Sequence, residues 1–538
     1  MRRWLVAVRG PAGWTALVLV LSATAVAYPL AHAPHPPLVD YPGFEAIVAG
    51  LHGQGREAYW STLFRVDYSS AQYLLVYVAG DVLASVLGVS GACRAIVVIA
   101  VAALPLAVAL YLRAHGRPAL GGAAAACVAI HAYTMWGFVS YIVAMPLALA
   151  ALAALAALVR TPSRWRAALL AALALALFYA HPQLYAWFAI AALVQTAAML
   201  SSAGRARVAR SIFLAALAAV PSVVAFGVWV RASGILERGV ASQRDGLAQA
   251  VRDEPPVFEP VPVAVRHALD HSVAVYRDGT GETVALAFAA GVLGLVAARG
   301  RADGGARMDE GASASRDDYA PELVLAATLT EWLFAPQRYR AIEPIAARFL
   351  PLALALVPVL GPLRDPGRRA RGALGIGLIA AALYAGNVHA SRFAALETEL
   401  GGLDLALAHT APGRRLLGLV HDRDSEVVPY PVHMHVHQYY QSRVGGLAEF
   451  SFVEFPMSPL RFQDGIAPDP PFPRRFEWTP ERFRWETWGA AYDYVLVRTA
   501  PGRSFPPFHP PGVRPAPRLV YEDDRWHLYA VGRAGSER

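Results

Sequence analysis

The stretch VSYIVAMPLALAALAALAAL, residues 139–158, contains no charged side chain over its 20 residues. An α-helix rises about 1.5 Å per residue, so a run of this length crosses the roughly 30 Å hydrocarbon core of a bilayer. The stretch therefore predicts a membrane-spanning helix.

Ten other apolar runs of similar character flank this one along the chain. Hydrophobic residues make up 56% of the 538 residues and charged residues only 16%, where soluble proteins have about 25%. This composition excludes a soluble enzyme, a disordered chain and a fibrous repeat. We predict a polytopic α-helical membrane protein with about 11 transmembrane helices. The expected spans are Trp14–Ala31, Arg94–Leu112, Ala119–Trp136, Val139–Leu158, Ala167–Pro182, Leu184–Leu200, Ile212–Val230, Val284–Ala298, Leu323–Pro336, Ala346–Leu363 and Ala373–Ala390.

Arginine clusters between the spans predict the orientation in the membrane. The chain has no lysine, so its 48 basic residues are all Arg, and the net charge is +8. Most lie in short groups at alternate loops, which is the pattern of a positive-inside topology and not of nucleic-acid binding. We expect a bacterial cytoplasmic (inner) membrane protein with a cytoplasmic N-terminus. The long loop 231–283 and everything after residue 390 then lie outside.

Residues 71–89 are apolar enough to span but do not fit this alternation. Counting them as a span would place Arg113 and Arg117 outside, and Asp81 would lie at the centre of the bilayer. We predict an interfacial helix on the outer face. The alternative is a twelve-span protein with several Arg clusters on the wrong side.

Composition divides the chain at residue 390. The transmembrane domain, 1–390, includes the first outer loop, 32–70. Region 391–538 is polar, aromatic and Pro-rich, and predicts a small extracytoplasmic α/β domain. The segments RRLLGLV, YDYVLV, RLVYE and WHLYAV predict strands, the last two as a hairpin. PVHMHVHQYYQSRVGG is compatible with a strand or with a helix that ends at its two glycines.

The first outer loop contains two acidic candidates. Asp40 stands between Val39 and the Tyr41-Pro42 pair, where a carboxylate can act as a general base for an acceptor hydroxyl or hold a metal. Its alternative role is a turn aspartate that accepts a backbone N–H. Glu45, in the first turn of a short predicted helix, binds substrate or complements the helix dipole.

Three arginines break the positive-inside pattern. Arg338, Arg340 and Arg348 lie at the outer end of two spans. The planar guanidinium group binds phosphate through two parallel hydrogen bonds, so an outer Arg group suits a lipid phosphate or pyrophosphate. The alternative is snorkelling to lipid headgroups, or pairing with Glu343.

Histidines and tyrosines near the outer ends of spans predict a polar, aromatic outer cavity. His181 lies at an outer turn, and Tyr141 starts the span at Val139–Leu158. In HMHVH, His433 and His437 share a face in a strand or in a helix, but two ligands are too few for zinc. The alternative for these histidines is a polar face near the membrane or a pocket. The two cysteines lie in apolar runs, so no cysteine metal site or disulfide framework is expected. The chain also contains no P-loop, GxSxG or HExxH motif.

As a whole the chain resembles the GT-C superfamily of integral membrane glycosyltransferases. The resemblance covers the span layout to residue 390, the acidic residue after the first span (Asp40), the interfacial helix and the arginine at the next span (Arg94). It implies a sugar transfer from a polyprenyl-phosphate donor to a glycan, lipid or protein acceptor on the outer face, with Asp40 as the base. The arginines are then candidates for the carrier phosphate, and Arg94, His181, Tyr141 and Glu45 for substrate binding.

The chain departs from the family pattern at two points. Members often carry paired acidic residues in the first loop and a further one in the loop near WGFVSY. Here Tyr41 and not a second acid follows Asp40, and WGFVSY contains no carboxylate. We therefore assign no metal site and no certain cofactor, and a divalent metal stays an open possibility. The competing hypotheses are a non-catalytic scaffold or subunit of an envelope polysaccharide machine, and a transporter.

Overall fold

The computed structural model describes residues 10–201, 204–232, 255–304, 319–339, 343–449, 451–455, 458–466, 476, 478–502 and 517–531. Two features organise these residues: a bundle of apolar helices and a mixed sheet that follows it in the chain. The helices are α1 Pro11–His32, α2 Tyr41–Gly53, α3 Ala58–Leu63, α4 Leu74–Ala114, α5 Ala132–Met135, α6 Val139–Arg160, α7 Arg164–Ala180, α8 Pro182–Leu200, α9 Arg205–Ala232, α10 Val261–Arg266, α11 Thr280–Gly304, α12 Ala320–Phe334, α13 Phe349–Leu356, α14 Arg368–Leu400, α15 Leu403–Leu407, α16 Tyr439–Arg443 and α17 Trp485–Trp488. The strands are β1 Phe64–Val66, β2 Arg415–Val420, β3 Leu447–Glu449, β4 Leu460–Phe462, β5 Tyr494–Arg498, β6 Pro517–Glu522 and β7 Trp526–Val531.

The prediction of a polytopic helical membrane protein is confirmed in its coarse form. Each of the eleven apolar runs coincides with helical structure. Within the described residues, seven helices are long and apolar enough to cross a membrane: α1, α4, α6, α8, α9, the part of α11 up to Arg299, and α14. Two shorter apolar stretches, Ala119–Val128 and Ala346–Leu360, add to them. The count of about eleven spans stays a prediction.

The run predicted as one span at Ala119–Trp136 is broken. It forms a 3₁₀ helix at Ala119–Val128 and then the short α5. A side chain at Gly122 would lie 2.6 Å from the backbone of Ala109 in α4, so the glycine permits very close packing there. Irregular backbone is tolerated in an apolar bundle when protein surrounds it, and residues 120–135 are buried.

The predicted interfacial helix 71–89 is a helix distinct from the span that follows, and a kink joins the two. Both lie in α4, and Gly88, at φ +68° and ψ 166°, kinks the helix between them. Asp81, the costly charge, has a partner: its Oδ1 lies 2.9 Å from Nδ1 of His52 at the end of α2. This contact connects the first outer loop to α4.

The region after the bundle contains the predicted strands. They form a five-stranded sheet of order β3-β2-β5-β7-β6, in which β2 is parallel to β3 and β5, and β5-β7-β6 are antiparallel. The predicted β6–β7 hairpin is present. The stretch that begins at Pro431 turns through a 3₁₀ segment at Val436–Gln438 and ends in α16 before the two glycines.

The sheet region packs on the first outer loop. Strand β1 of that loop pairs antiparallel with β4. Gln441 of α16 donates from Nε2 to the main-chain oxygen of Ala46 in α2 at 3.0 Å. These contacts bring residues more than 390 positions apart to the same place.

Candidate functional site

A cavity of about 360 Å³ lies where the first outer loop, the helical bundle and the sheet region meet. Its wall is largely aromatic, with acidic, basic and imidazole groups among the rings. The lining residues are Asp40, Phe44, Tyr73, Val76, Tyr77, Trp136, Gly137, Phe138, Val139, Ser140, His181, Glu343, Arg348, Met434, His435, Phe452, Phe455, Ser458 and Trp478. Aromatic walls with a few convergent polar groups are typical of small-molecule sites.

Asp40 is fixed in the cavity by its backbone. Its N–H donates to the main-chain oxygen of Trp136 at 3.0 Å, and Gly137 at φ +76° lies directly against it. A Cβ at Gly137 would lie 2.6 Å from the Asp40 nitrogen, so only glycine allows this approach. Asp40 is the N-cap residue of α2, but its carboxylate makes no capping hydrogen bond.

His435 from the sheet region faces Asp40. Its Nε2 lies 3.5 Å from Oδ1 of Asp40, and its ring is edge-on to Phe452 with the centroids 5.1 Å apart. The histidine is buried, whereas the Asp40 side chain is 29% exposed. The pair therefore presents a carboxylate that is held on one side by an imidazole and open in part to the cavity.

Arg348 is the cation of the cavity and is only 9% exposed. Its guanidinium donates to the Gln183 side-chain oxygen at 3.2 Å and to the Glu343 main-chain oxygen at 3.4 Å, and lies 4.7 Å from the Phe138 ring centroid. Within the described residues its Nε has no hydrogen-bond partner. No described carboxylate lies within 4.0 Å of it, although Glu343 lines the same cavity. A buried cation held by neutral oxygens favours an anionic ligand.

Of the three arginines predicted as one group, the structure places Arg348 on the cavity wall and Arg338 elsewhere. Arg348 lines the cavity, but Arg338 is not among the lining residues, and its backbone pairs with Val257 in an isolated β-bridge. Arg340 lies outside the described residues. The correction follows from secondary structure: the extended segment after α12 carries Arg338 to the loop 255–283, whereas Arg348 ends the 3₁₀ turn at Ala346–Arg348.

Glu45 and Arg94 are internal contacts and do not line the cavity. Glu45 lies in the second turn of α2, not in the first as predicted, and is 1% exposed. Its Oε1 accepts hydrogen bonds from Ser90 at 2.6 Å and Ser442 at 2.9 Å. Arg94 donates to the main-chain oxygen of Pro34 at 3.1 Å. Both residues tie the first outer loop to its neighbours.

His181 and Tyr141 lie where the predicted outer cavity was expected, with different roles. His181 lines the cavity, stacks on Tyr73 at 5.4 Å between ring centroids, and accepts a hydrogen bond from the Leu184 N–H at the start of α8. Tyr141 is fully buried behind the wall, and its hydroxyl donates to the main-chain oxygen of Arg348. It therefore positions the arginine and does not face the cavity.

The HMHVH histidines have three different surroundings. His433 Nε2 lies 3.5 Å from Glu399, His435 faces Asp40, and a Cβ at Gly418 would lie 2.3 Å from the His437 ring. The shared face predicted for the outer pair is wrong, since this segment is a turn and a 3₁₀ helix, neither strand nor α-helix. Among the described residues no third ligand group joins Asp40 and His435. That donor set does not fit a divalent metal, and we derive no step through one.

His435 is a cavity residue that the sequence did not single out. Its motif was noticed, but its pairing with Asp40 joins positions 395 residues apart, which no local periodicity reports. Trp478, Phe452 and Phe455 reach the cavity wall from the same region. The only signal for them is the aromatic-rich composition of the chain after residue 390.

Comparison with known proteins identifies the fold. No family model matches the chain, and no curated protein does. The chain is similar to the crystal structure of ArnT from Cupriavidus metallidurans in the apo state, with a TM-score of 0.53 and 11% identity over 97% of this chain and 98% of that one. It is also similar to the oligosaccharyltransferase of Archaeoglobus fulgidus with a tethered acceptor peptide, at a TM-score of 0.44 and 11% identity over 90% of this chain and 69% of that one.

The class defined by the fold is that of polytopic membrane proteins built on the GT-C plan. The resemblance predicted from the sequence is confirmed at this level: the chain has the GT-C fold, shared with ArnT over almost the full length of both chains. At 11% identity the likeness shows the fold alone.

Proposed function

We propose that the chain is a membrane glycosyltransferase that transfers a sugar from a polyprenyl-phosphate donor to an acceptor on the outer face of the bacterial cytoplasmic membrane. The observation that carries the proposal is the placement of Asp40 and Arg348 on the wall of one cavity of about 360 Å³. The GT-C fold supports membrane glycosyl transfer as the reaction class.

Arg348 is the proposed binding group for the donor phosphate. Its two donated hydrogen bonds end on neutral oxygens, and its position over the Phe138 face leaves the charge without a described anionic partner. A phosphate oxygen accepts strong, charge-assisted hydrogen bonds from guanidinium. The same contacts stabilise the negative charge that grows on the leaving phosphate in the transition state.

Asp40 is the proposed general base. The acceptor hydroxyl gives its proton to the Asp40 carboxylate while its oxygen forms a bond to the anomeric carbon of the donor. The bond from that carbon to the phosphate oxygen breaks, and the polyprenyl phosphate leaves with the electron pair. His435, 3.5 Å from Oδ1, is the proposed positioning residue that holds the carboxylate toward the substrate.

The aromatic wall is proposed to hold the sugar. Tyr73, Tyr77, Trp136 and Trp478 surround the space that the two charged groups face. Their rings offer flat apolar faces, and water leaves the site when a sugar fills it. A drier site strengthens the electrostatic contacts of the reacting groups.

The topology and domain division remain part of the proposal. We place the cavity and the region 391–538 outside the membrane, with the N-terminus in the cytoplasm and 1–390 as the transmembrane domain. A reporter fused after residue 391 is expected to be active only outside the cytoplasm. A cytoplasmic signal would refute the outer-face assignment.

The proposed function is tested with Asp40→Asn, which keeps the shape of the side chain but removes the base. Membranes that contain the protein are given polyprenyl-phosphate donors carrying labelled hexoses or pentoses, and label leaving the donor fraction is counted. We expect a loss of at least 100-fold in transfer, consistent with typical contributions of general bases of about 10²–10⁴.

Asp67→Asn is the matched control for this experiment. Asp67 lies in the same outer loop, but its carboxylate binds Ser69 and Ser70 of its own turn and pairs with Arg461, and Asp67 does not line the cavity. It should keep full transfer activity. Full activity in Asp40→Asn would remove Asp40 from the mechanism. A wild type that binds the donor but transfers no sugar would favour the scaffold hypothesis.

A further inference from the structure

A second group of chemically reactive side chains lies outside the cavity, in the loop between α9 and α11. Glu259, His267 and His271 each offer one ligand atom, and these three atoms lie within 4.8 Å of one another. None of the three lines the cavity. The arrangement is independent of the proposed function and of the histidines in HMHVH.

Local helical structure brings the two histidines together. The segment after α10 continues for one more turn, in which the His271 N–H donates to the main-chain oxygen of His267 at 2.9 Å. Residues four apart in a helical turn share one face. Glu259 approaches this face from the chain before α10, with Oε1 2.9 Å from Nδ1 of His267.

We propose that Glu259, His267 and His271 bind a divalent transition-metal ion of the zinc class. Two imidazole nitrogens and one carboxylate oxygen form a donor set that zinc uses, with a water in the fourth position. Magnesium and calcium prefer oxygen ligands alone, so the two histidines select against them. Ligands about 2.0–2.2 Å from a tetrahedral ion lie roughly 3.3–3.6 Å apart, so small side-chain rotations close the site.

The groups behind the ligands suit a metal centre. The hydroxyl of Tyr133 lies 3.5 Å from Nδ1 of His271, where it can hold the ring in one orientation. The backbone is anchored at the same point, since the Ala132 N–H donates to the main-chain oxygen of Ser272 at 2.7 Å. All three ligand residues are partly exposed, which leaves an entry path for an ion from solvent.

The ion would fasten the outer loop beside the cavity. Val257, two residues before Glu259, pairs with Arg338, ten residues before the cavity arginine Arg348. On the other side of the cluster Tyr133 stacks on Phe138, a residue of the cavity wall, at 6.0 Å between ring centroids. The role that follows is structural: one bound ion joins the chain before α10 to the turn after it, in a loop that contacts Arg338 and Tyr133.

The experiment uses the full chain in detergent, freed of metal with a chelator, and Co²⁺ as a spectroscopic probe with Zn²⁺ as competitor. We expect one Co²⁺ per chain with the intense visible absorption of a tetrahedral site, displacement by Zn²⁺, and a higher melting temperature with Zn²⁺. Glu259→Gln, His267→Asn and His271→Asn should each weaken Co²⁺ binding at least tenfold. Their melting temperatures without metal should equal that of the metal-free wild type.

His52→Asn is the matched control, because His52 and Asp81 form a histidine–carboxylate pair without a second histidine. It should bind Co²⁺ as the wild type does. A wild type that binds no stoichiometric Co²⁺ or Zn²⁺, or an unchanged Co²⁺ spectrum in His267→Asn and His271→Asn, would overturn the proposal. Binding of polyprenyl phosphate, measured in chelator, reports on the Arg348 site separately, so the two proposals fail independently.

Discussion

Replacement of Arg348 by methionine separates ligand binding from folding. The substitution keeps an unbranched side chain of similar length and removes the charge. Among the described residues Arg348 donates two long hydrogen bonds, at 3.2 and 3.4 Å, both to neutral oxygens, and makes one cation–π contact, to Phe138. A hydrogen bond that involves a charged group is worth about 1.5–3 kcal/mol, and the length of these two places them at the low end; the cation–π contact is worth about 0.5–2 kcal/mol.

The cost of burying the charge offsets these gains. Taking a guanidinium out of water costs several kcal/mol, and here no ion pair with a described carboxylate offsets that cost. The two sides are of equal order, so the melting temperature of Arg348→Met without ligand should equal or exceed that of the wild type. With a phosphate bound, the lost charge-assisted hydrogen bonds are worth about 1.5–3 kcal/mol. Since 1.4 kcal/mol is tenfold, binding of polyprenyl phosphate should weaken roughly 10–150-fold.

Arg117→Met is the matched control. Arg117 is 6% exposed but is paired with a carboxylate, with Nη2 2.5 Å from Glu322. Breaking a buried ion pair by removing one partner costs about 3–5 kcal/mol, so this variant should melt earlier and keep its affinity for polyprenyl phosphate. Both quantities are measured in detergent, by intrinsic fluorescence on heating and by native mass spectrometry. If Arg348→Met melts much earlier and binds polyprenyl phosphate as the wild type does, the arginine is structural and the phosphate assignment is refuted.

Three further predictions concern the surroundings of the site. Gly137→Ala should slow sugar transfer at least tenfold, because the added Cβ would displace Asp40, the proposed base. Gly55 is the control, since it also has a positive φ, +72°, but has open space around it. Gly55→Ala should lose about 1 kcal/mol of stability and keep its activity. Burial lowers the pKa of His35, but hydrogen bonds to two carboxylates, one of them Asp404, outweigh burial and raise that pKa above 6.5. The charged form therefore stabilises the fold below pH 6.5, and the melting temperature should fall as pH rises from 6 to 8 in the wild type and stay flatter in His35→Gln. His435→Gln should lower kcat with little change in KM and should shift the pH profile of kcat. A lower melting temperature with an unshifted pH profile would show that His435 has only a structural role.

The sequence predicted the helices well because their cause is local. A run such as Val139–Leu158 is long and apolar enough by itself to require a membrane helix, and α6 covers it. Hydropathy did not predict the break at Ala119–Trp136, where Gly122 packs closely on α4, a contact with another helix. Hydropathy reports the cost of burial for one segment, and it carries no information on how closely a neighbour approaches.

The site was predicted in part, and the reason is similar. Arg348 and Asp40 were noticed because each violates a local rule: one is a cation on the wrong side, the other an acid at the membrane face. Glu45 has an equally polar side chain, yet the hydroxyls of Ser90 and Ser442 donate hydrogen bonds to it and it does not line the cavity. Only three-dimensional contacts distinguish a charged side chain that is hydrogen-bonded within the protein from one that is able to bind a ligand.

The composition boundary at residue 390 does not divide the molecule at the cavity. Helix α14 runs on to Leu400, and the wall of the cavity takes Asp40 from the first outer loop, Arg348 from the bundle and His435 from the sheet region. The β1–β4 pairing and the Gln441 hydrogen bond hold these parts together. The proposed base is therefore positioned by a residue from beyond the predicted boundary. It follows that the region after residue 390 forms part of the cavity, and a chain truncated there would lose one wall of the cavity together with His435, the neighbour of Asp40.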